Sequence, residues 1–436
     1  MRPGARIQAA IEVLDEIIAR HRPASEALAD WGKAHRVAGS GDRNAIGHIV
    51  YDALRRRSSI AWAQDADTAR ALAIGAAPQA LALAPDAVAA LCDGEQHAPA
   101  PLSQAELAGL TRSLDRAPAH IQADIPEWLW PTFTATFGEG AIAEGRQMAA
   151  RAPTDIRVNT IKSTPERVAK ALTSFGVTPT RHSPIGLRIA APEGTSRTPN
   201  LQAEAAFQAG WFEIQDEGSQ VAAALAGAGP RHQILDICAG AGGKTLAMAA
   251  AMQNTGQIYA YDGDRLRLKP IFDRLKRAGA RSVQVLRARD TEALATLGPR
   301  FDVVLADAPC TGTGVWRRRP EAKWRLKAHS IANRQDDQQA VLALAAPMVK
   351  PGGVLVYVTC SVLPEENTGQ VARFLAANPE FAIEPTAEVW RRTIRSEPPR
   401  SADGATDSLL LTPRAHATDG FFIAVLRRRD GVWPPA

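Results

Sequence analysis

From Ile234 to Arg429 the chain alternates short apolar runs with longer helix-forming ones, and few architectures accept that pattern. ILDICA (234–239), IYAYD (258–262), VQVLRARD (283–290), FDVVLAD (301–307), GGVLVYVTC (352–360) and FFIAVLRRR (421–429) read as strands. GKTLAMAAAM, DRLRLKPIFDRLKRAG, a segment around 330–349 and PEENTGQVARFLAAN read as the helices between them. Strand and helix in alternation predict an α/β fold built on a parallel, doubly wound sheet. In such sheets ligands sit outside the carboxyl ends of the strands, so the residues there form one candidate site.

The rest of the chain has a different texture. AAIEVLDEII and AIGHIVYDALRRR repeat apolar residues at intervals of three and four around the turn-rich GSGDRN, which predicts a helical opening over about residues 1–60. Residues 61–120 are rich in Ala and Leu, and Pro78, Pro85, Pro99 and Pro101 predict short helices broken by loops. From 125 onwards, DIRVNTIKSTPERVAKALTSFGVTPTRH reads as strand, capped helix and strand, a small α+β unit. The expected division is 1–124, 125–205 and 206–436.

Bulk composition removes several classes. With 45% apolar residues in a chain of 436, a wholly disordered protein is excluded. The N-terminus has no signal-peptide core and no run approaches the roughly 18 apolar residues of a membrane span, so a cytoplasmic protein without membrane contact is expected. Cys92, Cys238, Cys310 and Cys360 show no C-x-x-C spacing, which argues against a zinc knuckle or a disulfide framework and predicts no metal site. Thiol chemistry here would be catalytic. The net charge of +5 is concentrated in WRRRPEAKWRLK (316–327), where Arg317, Arg318, Arg319 and Lys323 are interleaved with Trp316 and Trp324. Cations for phosphates and flat rings for bases suit a nucleic acid, and a solvated basic loop fits equally well.

The strand ends carry the chemistry. CAGAGGKT (238–245) supplies a loop of Cys238, Ala239, Gly240, Ala241, Gly242, Gly243 and Lys244 ahead of a helix, where backbone can approach a ligand closely. A Walker phosphate loop would need glycine at Cys238, although Lys244 and Thr245 fit, so ATP stays a minor alternative. Asp262, at the end of the next strand, stands where an acid accepts from ribose hydroxyls. Loop and acid together do not separate a dinucleotide from S-adenosylmethionine. Cys310 and Cys360, each just past an apolar strand, favour the second: a thiolate adding to C6 of a pyrimidine makes C5 able to take a methyl group from a sulfonium donor. A free cysteine is commonly just a small buried hydrophobe, but two on adjacent loops facing a cofactor motif weaken that reading. Pro364, Glu365 and Glu366 read as a helix first turn whose N–H groups would lower the pKa of Cys360, with the two acids opposing.

DICAGAGGKT, YAYDGD, VVLADAPCTGTGVWRRRPEAKW, VKPGGVLVYVTCSVLPEEN and TDGFFIAVLRR together resemble the RNA cytosine-5 methyltransferases of the Nol/Nop/Sun group, especially the bacterial RsmB-like enzymes. That resemblance implies a Rossmann-like class I S-adenosylmethionine methyltransferase domain, preceded by an RRM-like α+β segment and an all-α NusB-like RNA-binding domain. It implies Cys360 as nucleophile, Cys310 as the residue that releases product, and Asp307 as the group that orients the cytosine. Cofactor contacts would come from the loop Cys238 to Lys244, from Asp262, Asp290 and Asp307. The loop departs from the family at Ala241, where proline is common. The implied partner is ribosomal RNA or a small-subunit precursor, acted on by a monomer. A non-catalytic RNA-binding assembly factor that kept the fold is the rival, against which both intact cysteines argue.

Overall fold

The computed structural model describes residues 1–197 and 199–430. The chain forms two compact units, one of Met1–Ala152, Ala191–Pro199 and Val315–Leu326, the other of Pro153–Ala190, Asn200–Gly314 and Lys327–Ala436. The helical unit runs past 124 and takes in the tryptophan-flanked basic segment.

In the first unit, helices Pro3–Arg20, Ser40–Arg55 and Ala69–Leu81 build the core from Ile7, Leu14, Ile46, Ile49, Val50 and Leu72, all fully buried. Pro3 at the start of the first helix lacks only an N–H that would be unpaired anyway. Pro78 does not break its helix as expected. It lies in the last turn, so a single i to i−4 bond is lost while Ala73, Ala76, Ala77 and Ala80 stay packed.

The basic segment is not a solvated loop. It contains helix Pro320–Arg325, with Trp316 and Lys323 each 1% exposed and Arg317 5% exposed. The Lys323 ammonium donates to the carbonyl of Arg55 (2.9 Å) and the Trp324 indole to that of Leu54 (2.6 Å), while the Arg55 guanidinium donates to the carbonyl of Arg317 (2.8 Å). The last carbonyls of a helix have no partner within it, and a cation at that end also answers the helix dipole. Lys323 therefore serves packing and Arg317 is buried beside it, against the exposed phosphate-ligand role expected of both; Arg318 is half-buried and Arg319 exposed.

The second unit holds two sheets. In the smaller, β1 (Thr154–Val158), β2 (Thr178–Pro179), β3 (Gly186–Ile189) and β4 (Phe212–Ile214) are ordered β2-β3-β1-β4, all antiparallel. Helix Pro165–Ala171, capped by the Thr164 hydroxyl, joins β1 to β2, and helix Ala205–Gln208 precedes β4. This is the β-α-β-β-α-β order of a ferredoxin-like fold. Its core is Ile156, Val158, Val168, Leu172, Leu187 and Phe212.

The larger sheet contains β5 (Gln233–Asp236), β6 (Gln257–Ala260), β7 (Val283–Val285), β8 (Phe301–Asp307), β9 (Val349–Thr359), β10 (Phe381–Glu384), β11 (Leu409–Leu411) and β12 (Phe421–Arg428). The order is β10-β12-β9-β8-β5-β6-β7, with β11 pairing β12. Strands β5 to β9 are parallel, as the alternation predicts. The last strand is not: β12 runs antiparallel to β9, β10 and β11. The short 412–420 connection between β11 and β12 lacks the length of a parallel crossover. Strand order reverses between β5 and β8, which opens a crevice at their carboxyl ends.

Candidate active site

The glycine loop leaves the end of β5 and feeds helix Gly243–Ala251. Gly240 and Gly242 have φ of +49° and +83°, and a Cβ at Gly242 would stand 2.6 Å from Ile271. Both positions exclude ordinary side chains. Asp262, 3% exposed, holds the loop through Oδ2, which accepts from the Gly240 N–H (2.9 Å), and its own turn through Oδ1, which accepts from the Asp264 N–H (2.8 Å). A carboxylate offers about four lone-pair directions, so each oxygen can take a further donor such as a ribose hydroxyl. A Cβ at Gly240 would stand 3.8 Å from Asp262 Oδ2 and 3.6 Å from the guanidinium of Arg267, the half-exposed partner of that carboxylate at 3.9 Å. The residues present fit a nucleoside-bearing cofactor.

Lys244 does not fit the phosphate-loop alternative. Its ammonium pairs with Asp307 Oδ2 at 2.7 Å, which neutralises the cation that ATP would need. Burial pushes the Cys238 thiol well above its usual pKa, so this residue enters the loop as a neutral group. Asp236 accepts the Thr245 hydroxyl at Oδ2 (2.6 Å), has no partner at Oδ1, and is pushed up to about 7, chiefly by burial. Asp290 lies beyond β7, which ends at Val285, and its Oδ1 caps helix Thr291–Thr296 by accepting from the Ala293 N–H (2.9 Å).

Cys310 follows β8 and Cys360 follows β9, and pairing of Asp307 with Val358 sets those ends side by side. The two sulfurs lie 3.2 Å apart. The hydrogen bond with Cys360, reinforced by burial, pushes the Cys310 thiol well above its usual pKa, so it carries its proton at neutral pH. The expected helix turn at Pro364 is absent: the helix after Cys360 starts at Thr368, and residues 364–367 form a turn. No helix first turn therefore stands beside Cys360.

What orders the two loops instead is Glu366, fully buried. Its carboxylate accepts from the Thr311 N–H (2.8 Å) and hydroxyl (2.5 Å), from the Ser361 hydroxyl, and from the Gln338 amide (3.1 Å). Thr311 and Ser361 are the residues after the two cysteines. The Gly314 N–H donates to the Cys360 carbonyl (2.9 Å) and the Val362 N–H to the Thr313 hydroxyl (2.8 Å), which completes the cross-link. Reading Glu366 only as a charge near a thiol missed this role; an acid following two hydroxyl-bearing loops was the one available signal.

The family comparison follows the same residues. The model described as 16S rRNA methyltransferase RsmB/F matches residues 223–427, and that of the RsmF/B-like ferredoxin-like domain matches 125–195. A probable ribosomal RNA small subunit methyltransferase B from Synechocystis is 33% identical over 318 residues, covering 70% of this chain and 67% of that one. The chain belongs to the RsmB/F family. A ribosomal RNA small subunit methyltransferase B from Sodalis glossinidius is 34% identical, with 63% of this chain and 59% of the relative covered. The chain thus spans roughly three fifths to two thirds of the length of these RsmB/F relatives. The crystal structure of PH0851 is similar over 98% of this chain and 99% of its own, with a TM-score of 0.75 and 27% identity. Among the described residues of this RsmB/F chain, no helix is long and apolar enough to cross a membrane, and no group of three or more His, Cys, Asp or Glu could hold a metal ion.

Proposed function

We propose that this chain methylates C5 of a cytosine in small-subunit ribosomal RNA, using S-adenosylmethionine and a transient bond between Cys360 and the base. The observation that carries the reading is the pair of thiols 3.2 Å apart at the ends of adjacent strands, beside the Lys244–Asp307 pair of the cofactor loop. Asp262 and the loop from Cys238 to Lys244 would hold the cofactor, which when bound supplies an electrophilic methyl group. The target base must be unstacked or flipped out, because a thiol cannot reach C6 within a stack. Asp307 orients the base at its N3 edge.

Attack by the Cys360 thiolate forms the S–C6 bond and moves the C5=C6 electron pair to C5. That step also ties up the Cys360 sulfur and weakens its hydrogen bond with Cys310, the main cause of the raised Cys310 pKa. Cys310 can then lose its proton to solvent and take the C5 proton after methyl transfer; the C5–H pair restores the double bond and Cys360 leaves as thiolate. Residues 1–124 are proposed as a NusB-like RNA-binding domain. The reading as a non-catalytic assembly factor gives no reason for two thiols tied together by a buried carboxylate. Labelled S-adenosylmethionine incubated with the protein and 16S RNA, free or in the small subunit, should leave label at C5 of cytosine; no transfer to either substrate would reject the proposal.

A further inference from the structure

The smaller sheet reaches the cofactor loop through two arginines. Arg157 on β1 and Glu213 on β4 are register partners, so their side chains share one face. Arg157, 1% exposed, donates to the Gln215 side chain (2.6 Å) and toward the carbonyl of Gly243 (3.4 Å). Glu213 accepts two bonds from Arg274 at Oε2 (2.9 and 3.2 Å) and one from Arg277 at Oε1 (2.6 Å). Both arginines lie on helix Ile271–Ala278. Arg274 alone goes on to the loop, donating to the carbonyl of Ala241 (2.8 Å). The same helix places Ile271 beneath Gly242. It is fastened to the small sheet at its other end by Asn159, which donates to the Ala278 carbonyl (2.8 Å), and by Lys162, which donates to the Arg277 carbonyl (2.7 Å).

We propose that the ferredoxin-like sheet, besides any contact with RNA, is a brace for the cofactor loop, with Glu213 and Arg274 as positioning residues that set its shape for the donor. A loop with two left-handed glycines has many conformations to lose, so donor affinity depends on how far it is ordered before binding. Arg274 supplies a charge-assisted bond to the middle of that loop and Glu213 fixes the direction of the guanidinium. The inference rests on the proposed cofactor.

Arg277 provides a matched control: it pairs with the same carboxylate and is equally exposed, at 20%, but does not touch the loop. Donor affinity is measured by titration of S-adenosylmethionine into the full chain, and loop order by hydrogen exchange of amides 239–243. Arg274→Ala should raise the donor Kd about tenfold, the loss of one hydrogen bond to a charged group, and speed exchange of those amides. Arg277→Ala should leave Kd within about twofold while still lowering the melting temperature, because it loses its bond to the same carboxylate and its place over the Phe207 ring. Equal weakening by both variants, or by neither, overturns the brace. If the wild-type chain binds no S-adenosylmethionine, the cofactor reading fails, and the exchange comparison still decides the brace: faster loop exchange only in Arg274→Ala supports it, and equal exchange rejects it.

Discussion

The sulfur atoms of Cys310 and Cys360 stand 3.2 Å apart, Cys310 three residues past the end of β8 and Cys360 one residue past the end of the neighbouring parallel strand β9. The hydrogen bond with Cys360, reinforced by burial, keeps the Cys310 thiol protonated. In the proposed reaction Cys360 attacks the base and Cys310 acts only after that bond has formed.

The two cysteines should therefore have opposite phenotypes. Cys360→Ala should abolish methyl transfer and form no adduct, while Cys310→Ala should form the bond to RNA and stall. Denaturing electrophoresis of each variant with RNA and S-adenosylmethionine checks this: a slow, nuclease-sensitive band is expected for Cys310→Ala alone. The double variant should show none, and accumulation by Cys360→Ala would reverse the roles.

Asp262 carries a binding prediction. Asp262→Ala removes the acceptor for donor hydroxyls and releases the Gly240 N–H, so donor affinity should fall by about 1.5 to 3 kcal/mol, the range for a hydrogen bond to a charged group. Calorimetric titration of a folded variant with unchanged affinity would remove Asp262 from the cofactor site.

Asp236 predicts a pH dependence. Its folded pKa of about 7 lies above the ordinary 3.8, so between those values the folded chain binds more protons than the unfolded one. Stability should then fall as pH rises through that window, because the slope follows protons bound unfolded minus folded. Denaturant melts across this range should show the decline, and Asp236→Asn should flatten it.

Lys323 and Arg319 should separate packing from RNA contact. Lys323→Leu leaves the Arg55 carbonyl without its donor and should cost about 1.5 to 3 kcal/mol of stability in a denaturant melt. The exposed Arg319 is the one to test on RNA. If it meets a phosphate, Arg319→Ala should reduce the salt slope of single-strand binding by about 0.7; an unchanged slope would assign the residue to solvent.

Local pattern was enough for much of this protein. Apolar period and turn residues gave the helical opening, the parallel core from β5 to β9 and the places where its strands stop except for β7, which ends at Val285 short of the expected Asp290, and those stops carry Cys310, Cys360, Asp262 and the glycine loop. Adjacent parallel strands ending together made it legible that the two cysteines belong to one site. What depended on distant parts of the chain was invisible. The antiparallel entry of β12, the burial of Lys323 on helix Ser40–Arg55, and the reach of Arg274 from Glu213 to Ala241 each join residues far apart in sequence. Charge shows the same division most sharply. A run of cations reads as a surface because solvation is the cheapest fate of a charge considered alone. Tertiary structure alone brings the orphan carbonyls of a helix end, or the hydroxyls around Glu366, close enough to replace that water.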